Sequence, residues 1–342
     1  MSFIRNFSDR KYRKEWFMDN AIYLVLVFMC VGMVIAEPGF LSIDNLRNIL
    51  TQSSTRVIIA LGVAGILIVQ GTDLSAGRMV GMAAVVSASL LQAIDYGYRM
   101  YPNLQKLPVI VPILLAVAIC GIFGLINGLI VAALKVPPFI TTLGMSVIVY
   151  GLTSIYYDRP PLGAQPIGGL DKDFKILASG SIGSGDFRIP YLVLFAIIVT
   201  IFIWILWNKT RFGKNMYAIG GNPEAAAVSG VNVVKNLVLI YMLAGVLYGF
   251  AGTLEAARVT SATNNTGNMY ELDAIAACVV GGVSLSGGIG TVPGIITGVL
   301  IFQVINYGLT FLNISPYLQY IVKGLIIIIA VAIDIRKYIK KK

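Results

Sequence analysis

Six long apolar runs constrain this chain more than anything else in it: Ala21–Ala36, Val109–Leu134, Tyr191–Trp207, Leu237–Leu254, Val292–Leu312 and Tyr320–Ile333. Several approach or reach the roughly 20 residues that carry an α-helix across a bilayer core. With 57% hydrophobic and only 12% charged residues, the fold class is all-α, a polytopic transmembrane helical protein. Shorter runs at Val57–Val69, Met79–Ala93, 139–156 and after Asp273 bring the expected count to about ten spans. That count puts both termini on one side. Phe40–Ser54 reads as a short amphipathic connection outside the spans.

Charge supplies the orientation. The net charge is +10, and the Lys and Arg residues sit at span ends, where they set topology; nothing in their pattern calls for nucleic acid. The N-terminus, the 208–236 loop and the tail carry more of them than the opposite loops, Arg47, Arg56 and Arg258 being counted among the latter. Positive-inside places the basic side in the cytoplasm. The expected layout is a basic interfacial segment on the headgroups at 1–20, a transmembrane domain over 21–335 with an outer loop at 157–188, and a basic tail at 336–342. Histidine is absent, and Cys30, Cys120 and Cys278 lie singly in apolar runs, so neither metal nor cofactor is expected. The one Gly-Lys pair, Gly213-Lys214, runs into Asn215, which is not a phosphate-binding loop. Any energy for uphill transport comes from a partner.

Two polar breaks interrupt the apolar pattern. Val69–Gly77 reads VQGTDLSAG and Val280–Gly288 reads VGGVSLSGG, an echo consistent with a parallel internal repeat and discontinuous helices. The apolar run before each is short for a straight span, and irregular backbone at membrane depth is tolerated where it is buried in protein or lines a water-filled cavity. Gln70, Asp73, Ser75 and Gly77, with Ser284, Ser286 and Gly288, are therefore candidates for the translocation path; Asn127 and Thr141 add polar groups within neighbouring spans. The competing reading has Asp73 capping a helix that begins near Leu74, with both breaks as turns at the cytoplasmic surface. Glu271 and Asp273 read as first-turn charges. Lys323 either snorkels or pairs.

The 208–236 loop contains one short helix written in local signals. Asn222 suits the N-cap, Pro223 the first helical position and Glu224 the first turn; Ala225 and Ala226 propagate it, and Gly230 stops it. Two turns do not hold together alone in water, so this helix is expected to dock into a soluble partner.

The segments TQSSTRVIIALGVAGILIVQGTDLSAGR (51–78), KVPPFITTLG (135–144), WNKTRFGKNMYAIGGNPEAAAVSGVNV (207–233) and YELDAIAACVVGGVSLSGG (270–288) together resemble the permease subunits of sugar-importing ABC transporters, the ribose/xylose/galactose group. The resemblance implies a homodimeric pore in the bacterial inner membrane, for galactose, methyl-galactoside or a related monosaccharide. It also implies cytoplasmic ATPase subunits, met through Glu224-Ala225-Ala226 and Gly230, and a periplasmic sugar-binding protein. Asp158, Arg159, Asp171 and Asp173 are then candidates for the binding protein's landing surface. An ion-coupled secondary transporter is the alternative, though Asp73 alone makes a poor coupling site.

Overall fold

A computed structural model describes residues 27, 30–35, 37–161, 163–185 and 188–339. The basic segment at 1–20, most of the first apolar run and residues 340–342 of the tail fall outside the described residues. The helices are α1 (Ile43–Ile68), α2 (Ala76–Leu90), α3 (Ile110–Ala132), α4 (Pro138–Tyr157), α5 (Lys172–Ser179), α6 (Tyr191–Lys209), α7 (Arg211–Gly221), α8 (Pro223–Val228), α9 (Val233–Val259), α10 (Tyr270–Val280), α11 (Val292–Phe311) and α12 (Pro316–Ile339). A two-residue hairpin, β1 (Ser181–Ile182) with β2 (Ile189–Pro190), precedes α6. Among the described residues, α1, α3, α4, α6, α9 and α11 are long and apolar enough to cross a membrane, and α2 and α12 contain shorter apolar stretches.

Helix α1 is the centre. In its most apolar window 78% of residues are buried, against 22% in α6 and 28% in α4, so α1 is enclosed by protein while α4 and α6 present apolar side chains outward. Every residue from Val57 to Ile68 is buried, packed by α9, α10, α11 and α6. The pairing of α3 with α9 rests on glycine. A Cβ at Gly124 would meet the Tyr241 carbonyl, one at Gly245 the Cys120 carbonyl, and one at Gly128 the backbone of Val238. Small residues let backbones approach this closely in a membrane, where hydrophobicity alone does not drive helices together.

The structure corrects four readings. Phe40–Ser54 is no connection outside the spans: from Ile43 onward it forms the first half of α1, capped by Ser42, whose hydroxyl accepts from the Asn45 amide at 3.2 Å. The first break therefore follows a full-length span, and only α10, with 11 residues, is short. Arg47 and Arg56 lie within α1 and Arg258 within α9, so none of the three is a loop charge. Helix α2 begins at Ala76 rather than near Leu74.

Candidate translocation and coupling sites

Helix α8 carries the caps its sequence spells out. Asn222 Oδ1 accepts from the Ala225 amide at 2.9 Å, Pro223 opens the helix, and Gly230 ends it at φ +84°. Glu224, Ala225, Ala227 and Val228 are exposed, Val228 at 92%. Ala226 points the other way, 5% exposed within the main core. It holds the helix to its own chain and is not part of the outward face.

The stretch just before α8 is itself a helix that sequence reading took for loop. The last turn of α7 is the meeting place of both polar breaks. Gln70 Nε2 donates to the Gly220 carbonyl at 2.8 Å, and the Tyr217 hydroxyl donates to the Gly290 carbonyl at 2.8 Å. The last carbonyls of α1 have no partner within the helix; that of Ile68 accepts from the Gly288 amide at 2.8 Å. Gly220 fits because a Cβ there would strike the Ile68 carbonyl, and Gly287 because one would strike Gln70. The two breaks and the segment leading into α8 thus form one hydrogen-bonded joint.

Asp73 is 2% exposed. Its Oδ1 accepts from the Ser75 amide at 2.8 Å and from the Ser75 hydroxyl at 2.5 Å. Asn127 Nδ2 donates to Ser75 Oγ at 3.0 Å, which ties α3 to the break, and Thr142 Oγ1 accepts from the Leu74 amide at 3.1 Å, which ties α4 to it. Asp73 therefore closes the turn ahead of α2 inside a polar network, with the Asn127 Oδ1 and Thr141 Oγ1 atoms left without a partner. In the second break, Ser284 Oγ accepts from the Ser286 amide at 3.1 Å; Ser284 is buried and Ser286 exposed. Gly77 lies apart from the joint, against the Glu271 carboxylate and the Gly267 carbonyl.

Far from α8, near the other end of α9, lies a charged cluster that the sequence reading missed. Glu255, with no exposed surface, accepts from Thr55 Oγ1 at 2.9 Å, from the Tyr270 hydroxyl at 2.9 Å and from Arg258 at 2.8 and 3.1 Å. The Arg56 guanidinium lies on the Tyr270 ring, 3.2 Å from its centroid, a favourable placement for a cation. Only the charge of Glu255 in an apolar run hinted at this cluster. Lys323 pairs with Asp273 at 3.0 Å, so of its two readings the ion pair holds.

At that same end, the 157–188 loop and the 258–268 loop join through reciprocal backbone hydrogen bonds between Ile167 and Ala262 at 2.9 and 3.0 Å. Asp158 and Arg159 are exposed, the Arg159 side chain donating to the Tyr101 hydroxyl at 2.6 Å. Asp171 caps α5, accepting from the Asp173 amide at 2.8 Å, and its carboxylate, 15% exposed, pairs with Lys106. Asp173, 65% exposed, pairs with the same lysine at 2.6 Å. Asp171 is thus a local structural group first. Asp171→Ala should cost about 0.5–2 kcal/mol through the lost cap, whereas Asp173→Ala should stay within roughly 0.5 kcal/mol as an exposed substitution. Hydrogen exchange over 172–179 reads the difference; equal protection in both variants would remove the capping role.

The family model described as branched-chain amino acid transport system / permease component matches residues 45–331. The chain is 58% identical over 334 residues to the galactose/methyl galactoside import permease protein MglC of Escherichia coli strain K12, covering 98% of this chain and 99% of that protein. It is 59% identical over 325 residues to the protein of the same name in Haemophilus influenzae, covering 95% and 96%. The ribose import permease protein RbsC of Escherichia coli strain K12 is 35% identical over 331 residues, covering 96% and 98%. No solved structure matches the chain.

Proposed function

This chain belongs to the family of branched-chain amino acid transport system permease components, and we propose that it is the pore-forming permease of an importer for galactose and methyl galactosides. The observation carrying the substrate class is full-length identity of 58% to a protein named for that activity, against 35% to one named for ribose. Two copies form the pore. A cytoplasmic ATPase of the ATP-binding-cassette kind drives it through α8, and a periplasmic binding protein delivers the sugar to the 157–188 and 258–268 loops. Both termini then face the cytoplasm.

The joint at Gly220 supports a mechanism. When the ATPase moves α8, α7 moves with it, and the hydrogen bonds from Gln70 to Gly220 and from Tyr217 to Gly290 pass that motion to both polar breaks. The breaks, with Asp73, Ser75, Asn127, Ser284 and Ser286, form the narrow part of the path. Interfaces with two discrete packings turn small shifts into gating steps.

The test is uptake of labelled methyl β-galactoside by cells that express the chain with its ATPase and binding protein. Accumulation that galactose suppresses, ribose spares and an inactive ATPase abolishes is the expected result. Uptake that survives loss of the ATPase and collapses with an ionophore would make this an ion-coupled carrier instead. Ribose uptake in place of galactoside uptake would overturn the substrate assignment.

A further inference from the structure

Helix α1 carries Asn45, Asn48, Gln52 and Arg56, spaced three and four apart and so aligned on one face. That face looks toward α11 and α10. The Tyr307 hydroxyl donates to Asn45 Oδ1 at 2.7 Å and accepts from Asn48 Nδ2 at 3.3 Å. Gln303 Nε2 donates to Gln52 Oε1 at 2.9 Å, and Arg56 lies over Tyr270. At 1.5 Å per residue, Arg56 stands about 18 Å along the axis from Ile68, well inside the helix. Polar side chains at such depth face protein or a watery cavity, and amides there also tie helices together.

Two cavities open onto this stripe. The outer one, about 250 Å³, is bounded by Asn48, Thr51, Gln52, Ser179, Arg258 and Thr260, among others. The inner cleft, about 20 Å³ and so of the size of one water, is bounded by Arg56, Tyr270, Asp273, Gln303 and Asn306 together with apolar residues. Gln52 belongs to the first and Gln303 to the second, so their amide–amide hydrogen bond stands as a partition. Two atoms of residues lining the inner cleft have no partner in the protein, Arg56 Nη1 and Asn306 Oδ1. One is a donor and the other an acceptor. A buried polar atom left unpaired costs about 1–3 kcal/mol, which a single water, donor and acceptor at once, would relieve in a cleft of that size.

Around the outer cavity the one lining charge, Arg258, is already paired with Glu255. What remains there for a ligand is amide and hydroxyl, the chemistry of a neutral polyol rather than an ion. Ligand pockets generally start at roughly 300 Å³, so the outer cavity suits something about the size of one sugar ring. We propose that the polar face of α1 carries a monosaccharide-contact site within the permease itself, an outer vestibule at Asn48, Thr51 and Gln52 that the Gln52–Gln303 pair closes off from the water-sized cleft at Arg56 and Asn306. The inference rests on the sugar-import reading and adds a substrate site to it.

The test places a cysteine at Thr51 or, on the opposite wall, at Ser179, in the complete importer held in lipid nanodiscs so that both faces are open. The rate of thiol modification is measured with and without methyl β-galactoside in large excess over the binding protein, with sucrose as the size control and the parent protein as background. At ten times its dissociation constant the galactoside should slow modification about tenfold at both positions, and Gln52→Ala should remove the protection. Uptake by cells carrying the same variants is scored in parallel. Unchanged modification at both cysteines, in variants whose cells accumulate the galactoside, overturns the site and leaves the transport reading standing. Cells with the parent permease that accumulate no galactoside overturn that reading, and this inference falls with it.

Discussion

Glu255→Ala should be the most damaging single substitution in the described core, lowering stability by about 3–5 kcal/mol, the usual result of removing one partner from a buried ion pair. The carboxylate has no exposed surface and gathers Thr55, Arg258 and Tyr270 at 2.8–3.1 Å. Without it, Arg258 loses both of its hydrogen bonds to the carboxylate, Arg56 loses the attraction of that charge, and the Thr55 and Tyr270 hydroxyls lose it as acceptor. The loss falls where α1, α9 and α10 meet, so the break at 281–290 should also lose its support. Glu255→Gln, which keeps shape and one acceptor oxygen, should lose less than the alanine variant. Removing charge on both sides, with Glu255→Leu and Arg258→Met together, should recover part of the loss, because Arg258 is then no longer stranded, while Arg56 still lacks the carboxylate. Unfolding of the purified protein in mixed micelles titrated with SDS reads the series. A cost below about 1 kcal/mol for Glu255→Ala would place the cluster in contact with water and would make it a surface pair in energetic terms.

That cluster also shows where sequence reading stops. Apolar runs with clean edges were legible: α6, α9 and α11 lie within a few residues of the runs that announced them. So was α8, because capping and stop signals are local and act through the nearest backbone. Helix α1 was cut in two because Asn45, Asn48, Gln52 and Arg56 lower the average hydropathy of its first half. Their partners, Tyr307, Gln303 and Tyr270, lie more than 200 residues away. A window over the sequence cannot see that a polar residue is satisfied by a distant one. Helix α7 was hidden by Gly213, Gly220 and Gly221, which read as loop. Two of these are small because backbone passes against them, Trp207 at Gly213 and Ile68 at Gly220. In the proposed path, the residue types were readable, but which of them meet was not. Asn127 with Ser75, and Gly288 with Ile68, are joined only by the tertiary fold.

The same limit changes how the coupling helix is to be tested. Ala226 looks from sequence like the natural place to block docking, yet it packs into the core of its own chain. Ala226→Trp should overpack that contact, at about 1–3 kcal/mol, and would lose uptake whether or not α8 meets an ATPase. The informative positions are those facing away from the chain, Ala227 and above all Val228, which is 92% exposed. A valine left that open on a two-turn helix is covered by nothing among the described residues. Its burial in a partner groove would contribute about 1.5–3 kcal/mol. Val228→Asp forfeits that contribution and brings a charge into the groove, so ATPase association should weaken by at least roughly 10–150-fold, the same energy expressed as a binding constant. Glu224→Ala should cost less, about 0.3–1 kcal/mol, where the carboxylate serves only the first turn of α8; a larger loss would assign it a basic residue on the ATPase. Co-purification of the ATPase, membrane abundance of the permease and galactoside uptake are measured for each variant. Normal abundance with lost ATPase and lost uptake in Val228→Asp and Ala227→Trp is the expected pattern. Full uptake in both variants would show that the outward face of α8 touches no motor, and motion would then have to enter the pore by a route other than the Gly220 joint.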